Sequence, residues 1–124
     1  MNKRQVGFER EQEAVDYLSE IGYRVIEKNF YCKSGEIDII AENEGYLCFI
    51  EVKYRENTDN GYPEEAVDLR KAGKITRSAM FYMTRHGYPD DFPVRFDVVA
   101  ILGDEIKVIK NAFDAVLKKG NGFG

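Results

Sequence analysis

The chain has 124 residues, of which 44% are hydrophobic and 32% charged. That length fits one domain, and that balance excludes a disordered chain. No apolar run approaches the roughly 20 residues that cross a bilayer. The opening Met1-Asn2-Lys3-Arg4-Gln5-Val6-Gly7 leads into acids rather than an apolar signal core, so a cytoplasmic protein is expected. The net charge of −4 weighs against broad nucleic-acid affinity. Phosphate binding, however, depends on local Lys/Arg density, and a bound cation adds its own charge.

Residues 7–21 carry the helical period, with Phe8, Ala14, Val15, Leu18 and Ile21 on one face and Gly22 as the stop. Residues 23–30 read as a strand, and 31–35 as a turn-like connection. Residues 36–41 form a second strand, Glu42-Asn43-Glu44-Gly45 a turn, and 46–54 a third strand. The polar stretch 55–63 is a loop. A second helix is expected from Asp68 as N-cap to His86, closed by Gly87, with an apolar stripe of Leu69, Ala72, Thr76, Ala79, Met80 and Met83. Residues 94–102 and 106–109 are strands around Gly103-Asp104-Glu105. Residues 1–117 are expected to form a single domain and 118–124 a frayed tail. The order helix, three strands, helix, two strands implies an α/β fold, a mixed sheet with helices packed on it.

Cys32 and Cys48 are too few for a disulfide scaffold, and with His86 as the single histidine there is no Cys/His set at zinc spacing. Two free thiols are expected.

The unusual feature is Gly35-Glu36-Ile37-Asp38 followed, after one turn, by Glu51-Val52-Lys53. A turn centred on Glu44 and Gly45 sets Ile40 opposite Phe49, Asp38 opposite Glu51, and Glu36 opposite Lys53. Opposed residues of an antiparallel pair have Cβ atoms about 4.5–5.5 Å apart. Two readings fit: a solvated salt-bridge ladder, or carboxylates that hold a hard divalent cation beside a lysine. Ile37, Ile39, Ile50 and Val52 are expected on the opposite face, which would make both strands central. Glu11 interrupts the first helix's apolar stripe, where a carboxylate is costly. It either reaches water at the stripe's edge or turns toward Asp38 and Glu51. The second helix carries Arg70, Lys71, Lys74, Arg77 and Arg85, which form either a solvated basic face or a phosphate-binding one. Asp97 is expected in a structural ion pair with Arg95 or Lys71.

These residues resemble the bacterial YraN-type family. The shared pattern is Gly7-x-x-x-Glu11-x-x-Ala14-x-x-Tyr17-Leu18, Gly22-Tyr23, Asn29-Phe30, Gly35-Glu36-Ile37-Asp38, Phe49-Ile50-Glu51-Val52-Lys53-Tyr54-Arg55, Ala66-Val67, Lys71 and Arg95-Phe96-Asp97-Val98-Val99. That family is similar to archaeal Holliday-junction resolvases and, more distantly, to restriction endonucleases. The resemblance implies a restriction-endonuclease-like αβββαβ core of the PD-(D/E)xK type. Asp38 would be the first-motif acid, Glu51 and Lys53 the ExK half, and Glu11 the helix-borne acid. Ile37 stands where restriction enzymes often have proline.

The expected function is a metal-dependent endonuclease acting on branched or structured DNA. Asp38, Glu51, the Val52 carbonyl and Glu11 would hold Mg2+ or Mn2+, and Lys53 would activate water. Arg55, Lys71, Lys74 and Arg77 would contact DNA. Two alternatives stand beside it: a nucleic-acid-binding module with little catalysis, or an interaction subunit of a repair or recombination assembly. A homodimer is compatible with either function, and no membrane contact or organic cofactor is expected.

Overall fold

The computed structural model describes residues 2–117. Helix α1 spans Lys3–Glu20 and starts before Gly7 because Asn2 caps it, accepting the Gln5 N–H at 2.8 Å. Strands β1 (Arg24–Cys32), β2 (Gly35–Asn43) and β3 (Tyr46–Arg55) follow. The polar loop then ends in a 3₁₀ turn, Pro63–Ala66. Helix α2 (Leu69–Arg85) opens at Asp68, whose side chain accepts the Lys71 N–H as an N-cap should. Strands β4 (Val94–Leu102) and β5 (Glu105–Ile109) complete the described chain. The expected tail, 118–124, lies outside the described residues.

The strands form one sheet in the order β1-β2-β3-β4-β5. Every neighbour pair is antiparallel except β3–β4, which is parallel and therefore needs a crossover, supplied by α2. This is the expected mixed α/β architecture. Glu44 (φ 55°) and Gly45 (φ 85°) both have the positive φ of a tight hairpin turn, which sets Asn43 opposite Tyr46 and Ile40 opposite Phe49.

Each face of the sheet is covered by one helix. Ala14 and Leu18 of α1 pack on Ile39, Ala41, Cys48 and Ile50, while Ile75, Ala79 and Tyr82 of α2 pack on Ile37, Ile40, Leu47 and Phe49. Both apolar stripes differ in part from expectation. Phe8 is 61% exposed and Ile21 40%, because only the central turns of α1 lie over the sheet. In α2 the buried line runs through Ala72, Ile75, Thr76, Ala79 and Tyr82, leaving Leu69 and Met80 outside. Ile75 and Tyr82 are the larger side chains at that helical spacing, and they seat in the aromatic cluster with Phe30 and Phe49.

At the turn end of the β2–β3 hairpin a polar network is buried among apolar residues. The Arg95 guanidinium donates to both oxygens of Asp97, to Asn43 Oδ1 at 2.7 Å and to Tyr23 Oη at 3.0 Å. Asp97 also accepts the Tyr23 hydroxyl at 2.7 Å and the Asn111 N–H at 2.9 Å. The expected ion pair is thus Arg95–Asp97, and Lys71 lies elsewhere. Burial, followed by the bond to Asp97, pushes the Tyr23 hydroxyl above its ordinary range. Burial also raises the Cys48 thiol to about 12, so it stays protonated at neutral pH. Both cysteines are free. Among the described residues no helix is long and apolar enough to cross a membrane.

Removing one member of a buried charge pair strands the other. Asp97→Asn is therefore expected to lower the unfolding free energy by about 3–5 kcal/mol, read from urea denaturation.

Candidate metal centre

The β2–β3 ladder keeps the expected register from the turn to Ile39↔Ile50 and stops there. Beyond that point Asp38 Oδ2 accepts the Val52 N–H at 2.8 Å, so a side chain takes the place of a backbone carbonyl. The neighbouring β1–β2 ladder is interrupted at the same position. Lys28 pairs with Ile39 and Phe30 with Ile37, but no pair joins Asn29 to Asp38. Asn29 has φ 54°, a left-handed conformation that Asn tolerates better than most residues.

The kink reverses the facing of β2. Ile37 and Ile40, three positions apart, both join the cluster under α2, while Ile39 joins the one under α1. Strict alternation would put Ile37 and Ile40 on opposite sides. Ile37 was expected beside Ile39, and the kink at Asn29 and Asp38 is why it is not. Glu36 is displaced for the same reason. It pairs with Tyr31 of β1 rather than standing opposite Lys53.

Carboxylate oxygens of Glu11, Glu36 and Asp38 consequently lie within 4.8 Å of one another, all three residues half-buried. Glu11 projects from α1 toward Asp38, as in the second of its two expected placements, but meets Glu36 there and not Glu51. Burial, and then the charge of Asp38, raises the Glu11 pKa. Asp38 is also raised, chiefly by burial, with the Val52 N–H bond opposing the shift.

Glu51 projects to the α2 side. Its side chain is 3% exposed, with Lys71 Nζ 3.6 Å and Lys53 Nζ 4.0 Å from Oε1. Oε2 is buried with no hydrogen-bond partner. Burial first, and then the Asp38 charge, pushes the Glu51 pKa up to about 7 against the pull of the two lysines. The four expected residues therefore fall into two groups. Glu11 and Asp38 gather with Glu36, Glu51 sits with Lys53 and Lys71, and Asp38 interacts with both.

The donor set suits a hard divalent cation. Such ions bond oxygen at about 2.0–2.6 Å, so one ion bridges oxygens up to roughly twice that distance apart. A buried carboxylate oxygen without a donor is costly unless a cation meets it. Lys71 was expected on DNA, and its ammonium is instead turned onto Glu51. Lys74 and Arg77 are exposed on α2, while Arg55 is half-buried at the end of β3. Glu36 and Asn29 were not expected at the centre. Asn29 left one signal, an asparagine at mid-strand, where that residue type is depleted.

Two predictions follow from these placements. Asn29→Val, which resists positive φ, should lower stability by about 1–2 kcal/mol more than Asn29→Gly, measured by urea unfolding. The second concerns pH. With Glu51 at about 7 folded and 4.5 unfolded, its neutral form is favoured by folding. The resulting stability is fully present below the unfolded value and is lost as pH rises through the folded one. Metal-free protein should lose about 3 kcal/mol from this group between those limits, and Glu51→Gln should flatten that part of the profile.

The family model described as "Uncharacterised protein family UPF0102" matches residues 10–101. A UPF0102 protein of Lachnoclostridium phytofermentans is 50% identical over 115 residues, covering 93% of this chain and 98% of the relative. One from Persephonella marina is 45% identical, covering 87% of this chain and 92% of the relative. One from Fusobacterium nucleatum is 46% identical, covering 90% and 92%. The matched segment contains Glu11, Asp38, Glu51, Lys53 and Lys71 together with all but the last residue of β4, and on these matches the chain belongs to the UPF0102 family.

Proposed function

We propose that this protein is a metal-dependent endonuclease that hydrolyses DNA phosphodiester bonds, with branched or structured DNA as its substrate. The observation that carries this reading is the buried, unpartnered oxygen of Glu51, placed beside Asp38 where two strands part. The ion pairs from Lys71 and Lys53 reach only Oε1 and leave this second oxygen unmet. The residues also match the PD-(D/E)xK pattern, with Asp38 as its first acid and Glu51-Val52-Lys53 as its second half.

Asp38 and Glu51 would hold Mg2+ or Mn2+ with the Val52 carbonyl, and Glu11 and Glu36 would complete the acidic surround. When bound, the ion supplies Lewis-acid polarisation of the phosphate and neutralises the carboxylates. The Val52 N–H fixes one Asp38 oxygen, and the other would be available to the ion. Lys53 is half-buried on the strand that carries Glu51, its ammonium 4.0 Å from that carboxylate, and would orient the attacking water. It also offsets the charge that builds on the phosphate as the water oxygen bonds to phosphorus and the bond to the leaving oxygen breaks. Lys71, 3.6 Å from Glu51, favours its ionised form against the effect of burial and would hold it in place, a positioning role. Arg55, Lys74 and Arg77 would contact the backbone of the DNA.

The test is cleavage of a four-way junction, a flap, a duplex and a single strand across a metal titration. Asp38→Ala and Lys53→Ala should each reduce magnesium-dependent cleavage by about 10²–10³-fold with the circular dichroism spectrum unchanged. Cleavage that survives both substitutions would overturn the assignment. Salt-dependent DNA binding with no nicking in any metal would instead identify a binding module.

A further inference from the structure

Two of the most exposed large apolar side chains stand beside the carboxylate cluster. Tyr31 is 68% exposed and Phe8 61%. Exposed aromatics scattered over a surface need no explanation. Each of these two neighbours an acid of the same cluster. Phe8 lies one helical turn before Glu11 on α1, and Tyr31 is the cross-strand partner of Glu36. Since Phe30 turns to the α2 side, its neighbour Tyr31 projects to the α1 side with Glu36. The charge of Glu36 raises the Tyr31 hydroxyl above its ordinary value. Lys28 reaches over the Phe8 ring, its Nζ 5.7 Å from the centroid, and donates to Gln12 Oε1 at 3.1 Å. Two rings and a cation therefore flank the place where a phosphate would be held.

We propose that Phe8 and Tyr31 form a stacking platform for an unpaired nucleobase, so that the substrate class is a strand with unpaired nucleotides next to the cleaved phosphate. This deepens the nuclease reading and rests on it. Bases inside a duplex are stacked on one another and offer no free face, whereas an unpaired base presents its face to an aromatic ring. Lys28 lies beside the Phe8 ring and would attract the flanking backbone. The acids would otherwise repel a nucleic acid that arrives without metal, so the aromatic contact supplies attraction that does not depend on charge.

The chain has no tryptophan, so Phe8→Trp introduces a unique fluorescent reporter. In calcium buffer, its emission should be quenched by a single-stranded oligonucleotide and by a duplex with a single-stranded overhang, and not by a blunt duplex. The double variant Phe8→Ala with Tyr31→Ala should bind the overhang duplex about 5- to 100-fold more weakly, with blunt-duplex affinity unchanged. Both side chains are exposed, and circular dichroism would confirm that the variant folds. Equal affinity of wild type and double variant for the overhang would overturn the proposal, as would equal quenching by the blunt duplex. Quenching that persists in a protein unable to cleave in any metal would sink the nuclease reading and support the platform as a strand-binding surface.

Discussion

The parting of β2 from β3 at Asp38 is the constraint on which the site depends. A continuous ladder would send Glu36 and Asp38 to one face. Instead the pairing ends at Ile39↔Ile50, and a carboxylate fills the vacated hydrogen-bond position on Val52. Buried backbone donors need an acceptor, and a carboxylate meets that need while keeping a second oxygen for other work. The gap then allows Glu11 from one face and Glu51 from the other to approach the same aspartate.

The two ends of this hairpin are built on opposite principles. At the turn, Arg95 and Asp97 have donors and acceptors matched, and the network closes on Tyr23 and Asn43. At the open end, acids are crowded, Glu51 keeps an orphan oxygen, and burial raises Glu11, Asp38 and Glu51 together. The satisfied end can stabilise a fold that the unsatisfied end strains. Concentrating unfavourable electrostatics where chemistry would occur is a common arrangement of functional sites.

Much of this was legible in the sequence. The order helix, three strands, helix, two strands followed from periodicity, the Asp68 cap from residue type, and the hairpin register from Glu44-Gly45. The pairing of Asp97 with Arg95 was one of two options that spacing left open. What could not be read was the kink. Alternation is a rule for unbroken strands, and nothing in the spacing of Glu36, Ile37 and Asp38 reveals that Asn29, on the adjacent strand, adopts a left-handed conformation. Glu36 and Ile37 therefore face opposite to expectation, and Glu36 joins Glu11. Lys71 was misplaced for a different reason. A basic helix face looks the same whether it meets solvent, phosphate or a buried acid, and only tertiary packing brings Lys71 to Glu51. The α1 stripe erred at its ends, where periodicity continues but the sheet does not, and the α2 stripe also erred in mid-helix, where Met80 is exposed while Ile75 and Tyr82 are buried.

The bond from Val52 to Asp38 also makes one amide a natural gauge of the site. Most central-strand amides exchange with solvent deuterium only when the sheet opens, whereas the Val52 amide is shielded by a side chain. Its protection is tied to how firmly Asp38 is held, and so to the protonation and loading of the acidic cluster. A single resonance in a spectrum would then follow the electrostatic state of the centre, without any substrate and without knowledge of what the protein acts on.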